Sequence, residues 1–131
     1  MKATWYEKLG PASQVLQFGD LPTPVPGPGE VRVKLSTSGV NPSDVKSRAA
    51  RPLIAARIIP HSDGAGVIDA VGPGVSPNRI GERVWIWNGQ WKRPFGTAAQ
   101  WIALPDKQAV PLPDNVDFEA AVRLEIGRAH V

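Results

Sequence analysis

At 131 residues, with 42% hydrophobic and 21% charged residues, the chain is long enough for one packed domain and short for a complete cofactor-dependent enzyme. The absence of cysteine excludes disulfides, thiolate nucleophiles and thiolate metal sites from these residues. The net charge of +3, from 15 Lys and Arg against 12 Asp and Glu, is spread along the whole chain, so an evenly solvated basic surface is expected and a clustered nucleic-acid groove is not.

The N-terminus, MKATWYEKLG, lacks an apolar leader segment and a small-residue cleavage site, and no apolar run is long enough to cross a bilayer. Neither secretion nor membrane insertion is expected, and the cytoplasm is the default location. Short strand-length runs follow, at 2–7, 30–39, 64–72, 83–87 and 97–105, each bounded by Gly, Pro or Asn. In VRVKLS, Val31, Val33 and Leu35 fall on one face and Arg32, Lys34 and Ser36 on the other, the period of a half-buried strand. The preceding segment 21–30 holds four prolines and two glycines, so it lacks ladder donors and reads as a stiff connector.

Two helices are expected. Residues 41–50 offer Asn41 or Ser43 as N-cap with Pro42 early, and 114–124 place acidic residues ahead of an Ala-rich stretch. Many short strands with proline-rich turns predict a mainly β chain with short helices, as an antiparallel barrel or sandwich. IPHSDGAG, residues 59–66, sets His61, Ser62 and Asp63 side by side. Neighbours in an extended segment alternate faces, so these three are not expected to converge as a triad.

Three stretches in order, SGVNPSDVKSR at 38–48, IPHSDGAGVIDAVGPGV at 59–75 and IGERVW at 80–85, resemble the medium-chain dehydrogenase/reductase superfamily, most closely its zinc-independent quinone oxidoreductases, called zeta-crystallin-like. The resemblance runs from about residue 1 to Leu124 and implies an N-terminal GroES-like catalytic domain, a partly open β-barrel, over 1–124. In the family a nicotinamide-binding Rossmann domain follows. Zinc-dependent members carry a cysteine at the place of Asn41 and a His-Glu pair at Ser62-Asp63; Asn and Ser do not supply a zinc site, so no metal is expected. The resemblance implies NADPH as hydride source, a quinone or other conjugated carbonyl as substrate, and a homodimer for the full-length form.

In such chemistry the protein supplies orientation and exclusion of water. Asn41 fits as a catalytic and cofactor-binding residue, donating to a carbonyl oxygen that gains charge or holding the nicotinamide carboxamide; capping the helix is an equal alternative. Asp44 is a candidate for orienting or receiving protons, with a first-turn structural role as the commoner meaning. Asp63 takes the family's acidic slot at the barrel floor. Lys46 is a candidate for a cofactor phosphate or a solvated lysine, and Trp87 and Trp91 for stacking on an aromatic substrate or for rim packing. Gly64, Gly66, Gly72 and Gly74 read as turn and close-packing positions and not as a dinucleotide fingerprint, since no G-x-G-x-x-G opens a helix.

The last seven residues, EIGRAHV, do not resemble the family. Adapter DNA read as ATC GGA AGA GCA CAC GTC TGA encodes Ile126 to Val131 and a stop, so 125–131 is expected to be a non-native tail and the chain a truncated fragment, inactive alone. Alternatives from other classes are a stand-alone GroES-like binding or oligomerisation module and an RNA-binding protein; the scattered charge gives the latter little support.

Overall fold

The computed structural model of the chain describes residues 1–122, so the expected tail at 125–131 lies outside the described residues. Strand β1 (Lys2–Trp5), a single turn α1 (Ala12–Val15) and β2 (Gln17–Asp20) form an antiparallel ribbon. The prolines of the connector lead into the long strand β3 (Glu30–Gly39), and helix α2 (Pro42–Ala50) follows. After an irregular stretch come β4 (Asp63–Val71), a 3-10 turn at Pro77–Arg79, β5 (Arg83–Ile86), β6 (Trp101–Pro105), a second 3-10 turn at Asp106–Gln108, and β7 (Ala109–Pro111). Residues 118–122 begin a helix, within the 114–124 expected for it.

Strands β3 to β7 make one antiparallel sheet in the order β6-β3-β4-β5-β7. Its two edge strands, β6 and β7, are consecutive in the chain and joined by the three residues Asp106–Gln108. In a flat sheet those edges would stand about 19 Å apart, four spacings of about 4.8 Å. A 3-10 turn of three residues rises only about 6 Å, so the sheet has to curl until its edges approach. Register shifts in the β3–β4 ladder, between Arg32 and Val33 and between Leu35 and Thr37, supply local bending. The result is a curled half-barrel, the one of the two mainly β alternatives, barrel or sandwich, that the family resemblance implied.

The alternation read from VRVKLS is borne out: Val31 and Val33 are fully buried, Lys34 and Ser36 exposed. They join Ile68, Val84, Ile86, Ile102 and Leu104 in the barrel interior, each burial being worth about 1.5–3 kcal/mol. A second cluster, Ala65, Leu112, Ala121 and Val122 with Trp85 and Phe118, covers the other face of the sheet. The start of β4, Asp63 to Gly66, is therefore buried throughout. Gly66 allows a very close approach there: a Cβ would lie 2.0 Å from the Lys34 carbonyl oxygen, a distance no side chain tolerates.

Each edge strand also has a guanidinium bonded to its main chain. Arg79 donates from Nη2 to the Ala109 carbonyl at 2.7 Å and from Nη1 to the Asp106 carbonyl at 3.0 Å. Arg93 donates from Nη2 to the Ala103 carbonyl of β6. Among the described residues, no helix is long and apolar enough to cross a membrane.

Candidate functional site

The end of β3, the start of α2 and the start of β4 meet at one buried polar cluster. Gly39 pairs with Asp63 at the end of the ladder, the chain turns at Val40, and Asn41 caps α2 in an extended conformation while Pro42 fixes the first helical residue. This brings Asn41, Asp44 and Asp63 together, with 5%, 7% and 2% of their surfaces exposed. The Asn41 main-chain N–H donates to Asp44 Oδ2 at 2.7 Å, and its side-chain Nδ2 donates to Asp63 Oδ2 at 2.5 Å. Its Oδ1 is buried on the capping-box side of the helix start, where the Asp44 N–H donates instead to the Asn41 carbonyl at 2.9 Å, so Oδ1 makes no hydrogen bond of its own.

Buried polar atoms are nearly always satisfied, so Asn41 Oδ1 is the open valence of this cluster. Asp44 shows why the helix starts here: its carboxylate takes an otherwise unpaired main-chain donor at the positive end of the helix. The structural and the chemical meanings of the aspartate therefore coexist in one contact.

Around this core lies a hydroxyl and imidazole network. Ser38 Oγ is 2.8 Å from both His61 Nδ1 and Thr97 Oγ1, and Thr97 Oγ1 donates to the Asp63 carbonyl at 2.7 Å. The His61 ring is pushed below its usual pKa by burial, against the attraction of Asp44 and Asp63, and is accordingly neutral at pH 7. The φ of +79° at His61 corrects the expectation that this segment is extended. That backbone conformation, uncommon for a side chain other than glycine, turns the imidazole toward Ser38. The hydroxyl hydrogen-bonded to His61 is that of Ser38, so the adjacent His61, Ser62 and Asp63 do not make a triad with Ser62.

Lys46 is exposed on the outer face of α2, two residues beyond the buried Asp44. Trp87 and Trp91 lie on the loop after β5, 48% and 52% exposed. That loop is tied to the IPHSD segment, since the Gly89 N–H donates to the Ser62 carbonyl at 2.8 Å and Gln90 Nε2 to the Ile59 carbonyl at 3.0 Å. The loop thus flanks the cluster while both indoles stay on its surface. Gly96 permits the other wall, as a Cβ there would meet the His61 carbonyl oxygen at 2.0 Å.

Sequence reasoning missed Ser38, Thr97 and Tyr6. Tyr6 is buried against Val15 and Ile58, and its hydroxyl pKa is raised by burial and by Asp44, with Arg48 and Arg51 opposing. Ser38 and Thr97 lie 59 residues apart, and nothing local in STSG or TAAQ marks them as partners. The one signal was Gly96 before a threonine, the mark of a close main-chain approach.

A curled antiparallel half-barrel of this strand order is a GroES-like fold. The family model for the alcohol dehydrogenase GroES-like domain matches residues 27–114, and the chain belongs to that family, in the medium-chain dehydrogenase/reductase superfamily. It is similar to the quinone oxidoreductase of Pseudomonas aeruginosa, 36% identical over 111 residues, covering 82% of this chain and 32% of that protein. The human synaptic vesicle membrane protein VAT-1 homolog is 33% identical over 113 residues, 83% of this chain and 27% of that protein. Among solved structures, the quinone oxidoreductase of Pseudomonas syringae superposes with a TM-score of 0.85 at 31% identity, over 95% of this chain and 37% of that one. A mycobacterial protein solved in complex with NADPH gives 0.80 at 28% identity, over 93% and 37%. The chain thus spans about a third of the length of these relatives.

Proposed function

We propose that this chain is the catalytic-domain part of an NADPH-dependent reductase of quinones or other conjugated carbonyls, working without zinc as a cytosolic homodimer. On this reading the part that grips most of the cofactor lies outside the chain, and the 131 residues alone do not turn over. The observation that carries it is the buried amide of Asn41, clamped on Asp63 through Nδ2 and left with an unpartnered Oδ1.

That open acceptor fits the carboxamide N–H of a nicotinamide, which when bound supplies the hydride. Of the two roles expected for Asn41, orienting the cofactor therefore has the better support, because its Nδ2 is already engaged with Asp63. Asp63 fixes the amide plane, and Asp44 holds the main chain that carries it. The Ser38, His61 and Thr97 network keeps the floor of the site rigid, so that orientation survives thermal motion. Trp87 and Trp91, exposed on the flanking loop, suit a flat acceptor by stacking, and Lys46, exposed on α2, suits a phosphate approaching from solvent.

The donor set does not fit zinc. Asn41 and Ser62 stand where imidazole or thiolate ligands are needed, and no group of three or more His, Cys, Asp or Glu side chains able to hold a metal occurs among the described residues. The test is a chimera in which residues 1–122 replace the matching part of the P. aeruginosa relative, assayed by NADPH oxidation with a benzoquinone. Turnover is expected to survive chelation and to fall about 100-fold or more in Asn41→Ala. A folded, NADPH-binding chimera without turnover, or one that needs added zinc, overturns the reading. Turnover by the 131-residue chain itself overturns the claim that it is inactive alone.

A further inference from the structure

Away from the Asn41 cluster, a cavity of about 380 Å³ lies between the proline-rich connector and β6. Pro24, Ile59, Phe95, Trp101 and Ile102 give it apolar walls, and none of Asn41, Asp44 and Asp63 lines it. Its size is that of a small-ligand site. Two arginines, Arg57 and Arg93, also line it.

Both guanidinium groups have unmet donors. Arg93 spends Nη2 on the Ala103 carbonyl, while its buried Nη1 has no hydrogen-bond partner. Burial lowers its pKa, with Glu30 opposing through space, yet it forms no ion pair among the described residues. Glu30, the acidic residue of the lining, accepts from the Gly27 N–H at 2.8 Å. Arg57 has a buried, unpartnered Nε, its Nη2 lies 3.7 Å from Glu7, and its guanidinium lies 5.6 Å from the Trp5 ring centroid. A half-buried guanidinium that keeps a buried, unsatisfied donor is costly, even where, as at Arg57, a carboxylate stands 3.7 Å away. Two of them beside an apolar cavity match a ligand that brings a negative head and an apolar body, and the planar fork of arginine suits a carboxylate in particular.

We propose that this cavity binds a small organic carboxylate, its head group on Arg93 and Arg57 and its apolar body against Ile59, Phe95 and Trp101. The inference does not depend on the reductase reading, because the two sites share no residue of the Asn41 cluster. The experiment titrates the isotope-labelled 131-residue chain with octanoate, octanol and inorganic phosphate, following the Trp101 indole and Gly96 amide resonances. Octanoate is expected to saturate these shifts, octanol to bind about tenfold more weakly or worse, and phosphate to give no saturable shift there. Arg57→Gln is expected to weaken octanoate about fivefold and Arg93→Gln about tenfold, with Arg57→Lys retaining most of the affinity.

Equal binding of octanol and octanoate overturns the proposal, leaving an apolar crevice with no use for charge. Phosphate saturating the same resonances as tightly as octanoate also overturns it, in favour of an inorganic oxyanion site. Should Arg93→Gln lose the fold with its bond to β6, Arg57→Gln decides: unchanged octanoate affinity in that variant refutes the assignment.

Discussion

Asn41→Ala separates two meanings of one residue. If Asn41 only caps α2, serine at the same place restores the cap, because serine and asparagine are near-equal N-caps. If its role is to clamp Asp63, serine fails, since its hydroxyl is too short to reach the carboxylate that Nδ2 meets at 2.5 Å. The lost bond is to a charged acceptor whose residue is 2% exposed, worth about 1.5–3 kcal/mol, and truncating a buried side chain adds about 1 kcal/mol. The expected cost is about 3 kcal/mol at pH 7, a fall of roughly 10–15 °C in melting temperature for a domain of this size. The Asn41 main-chain bond to Asp44 survives, so helical content in the folded state is expected to persist. Urea unfolding followed by circular dichroism measures the cost for Asn41→Ala and Asn41→Ser, and a double-mutant cycle with Asp63→Ala isolates the pair at about 2 kcal/mol. Full recovery by serine, or a coupling below about 0.5 kcal/mol, would refute the clamp.

Other perturbations have equally definite outcomes. Gly66→Ala places a Cβ 2.0 Å from the Lys34 carbonyl oxygen and is expected to cost more than about 4 kcal/mol or to prevent folding, whereas Gly74→Ala, with φ +87° and open space around it, costs about 1 kcal/mol; similar melting temperatures for the two would contradict the packing argument. His61 has a folded pKa lowered chiefly by burial, so the unfolded chain binds the proton first and stability falls as the pH drops below about 6.5. His61→Gln is expected to flatten that part of the profile, and an unchanged slope counts against it. At Asp69, burial alone would raise the carboxyl pKa, but hydrogen bonds from Arg32 and Trp101 outweigh it and hold it low. Its contribution is therefore present above about pH 4 and lost as the pH falls through the lower folded value; Asp69→Asn is expected to cost about 1 kcal/mol at pH 7, with parent and variant curves converging in strong acid.

Strands with strict alternation were legible to within a residue or two. β3 coincides with its expected span, and β4 and β5 nearly so. β6 starts at Trp101 and not at 97, because Thr97 and Ala98 turn their main-chain donors to the His61 and Pro60 carbonyls, a tertiary demand that alternation does not register. β2 and β7 were invisible for opposite reasons. QFGD is an exposed edge with no apolar face, and the AVP strand is three residues long and ends on proline. At the site, the family resemblance grouped Asn41, Asp44 and Asp63, and the fold does bring them together. The role of His61 was hidden because a left-handed φ at a histidine is set by the walls around it and has no letter of its own.

The arginine bonds on the two edge strands bear on how this sheet avoids joining another. An uncovered edge offers its carbonyls and amides to any passing extended chain. On β7 the Ala109 carbonyl is already taken by Arg79, and on β6 the Ala103 carbonyl by Arg93, while β1 pairs with the chain just before β6 through the Ala3–Ala99 bridge. A foreign strand would have to displace a cation from each place before it could add a rung. Replacing Arg79 and Arg93 together should therefore promote edge-to-edge association, read as larger species by size-exclusion chromatography, even where each single replacement leaves the barrel folded.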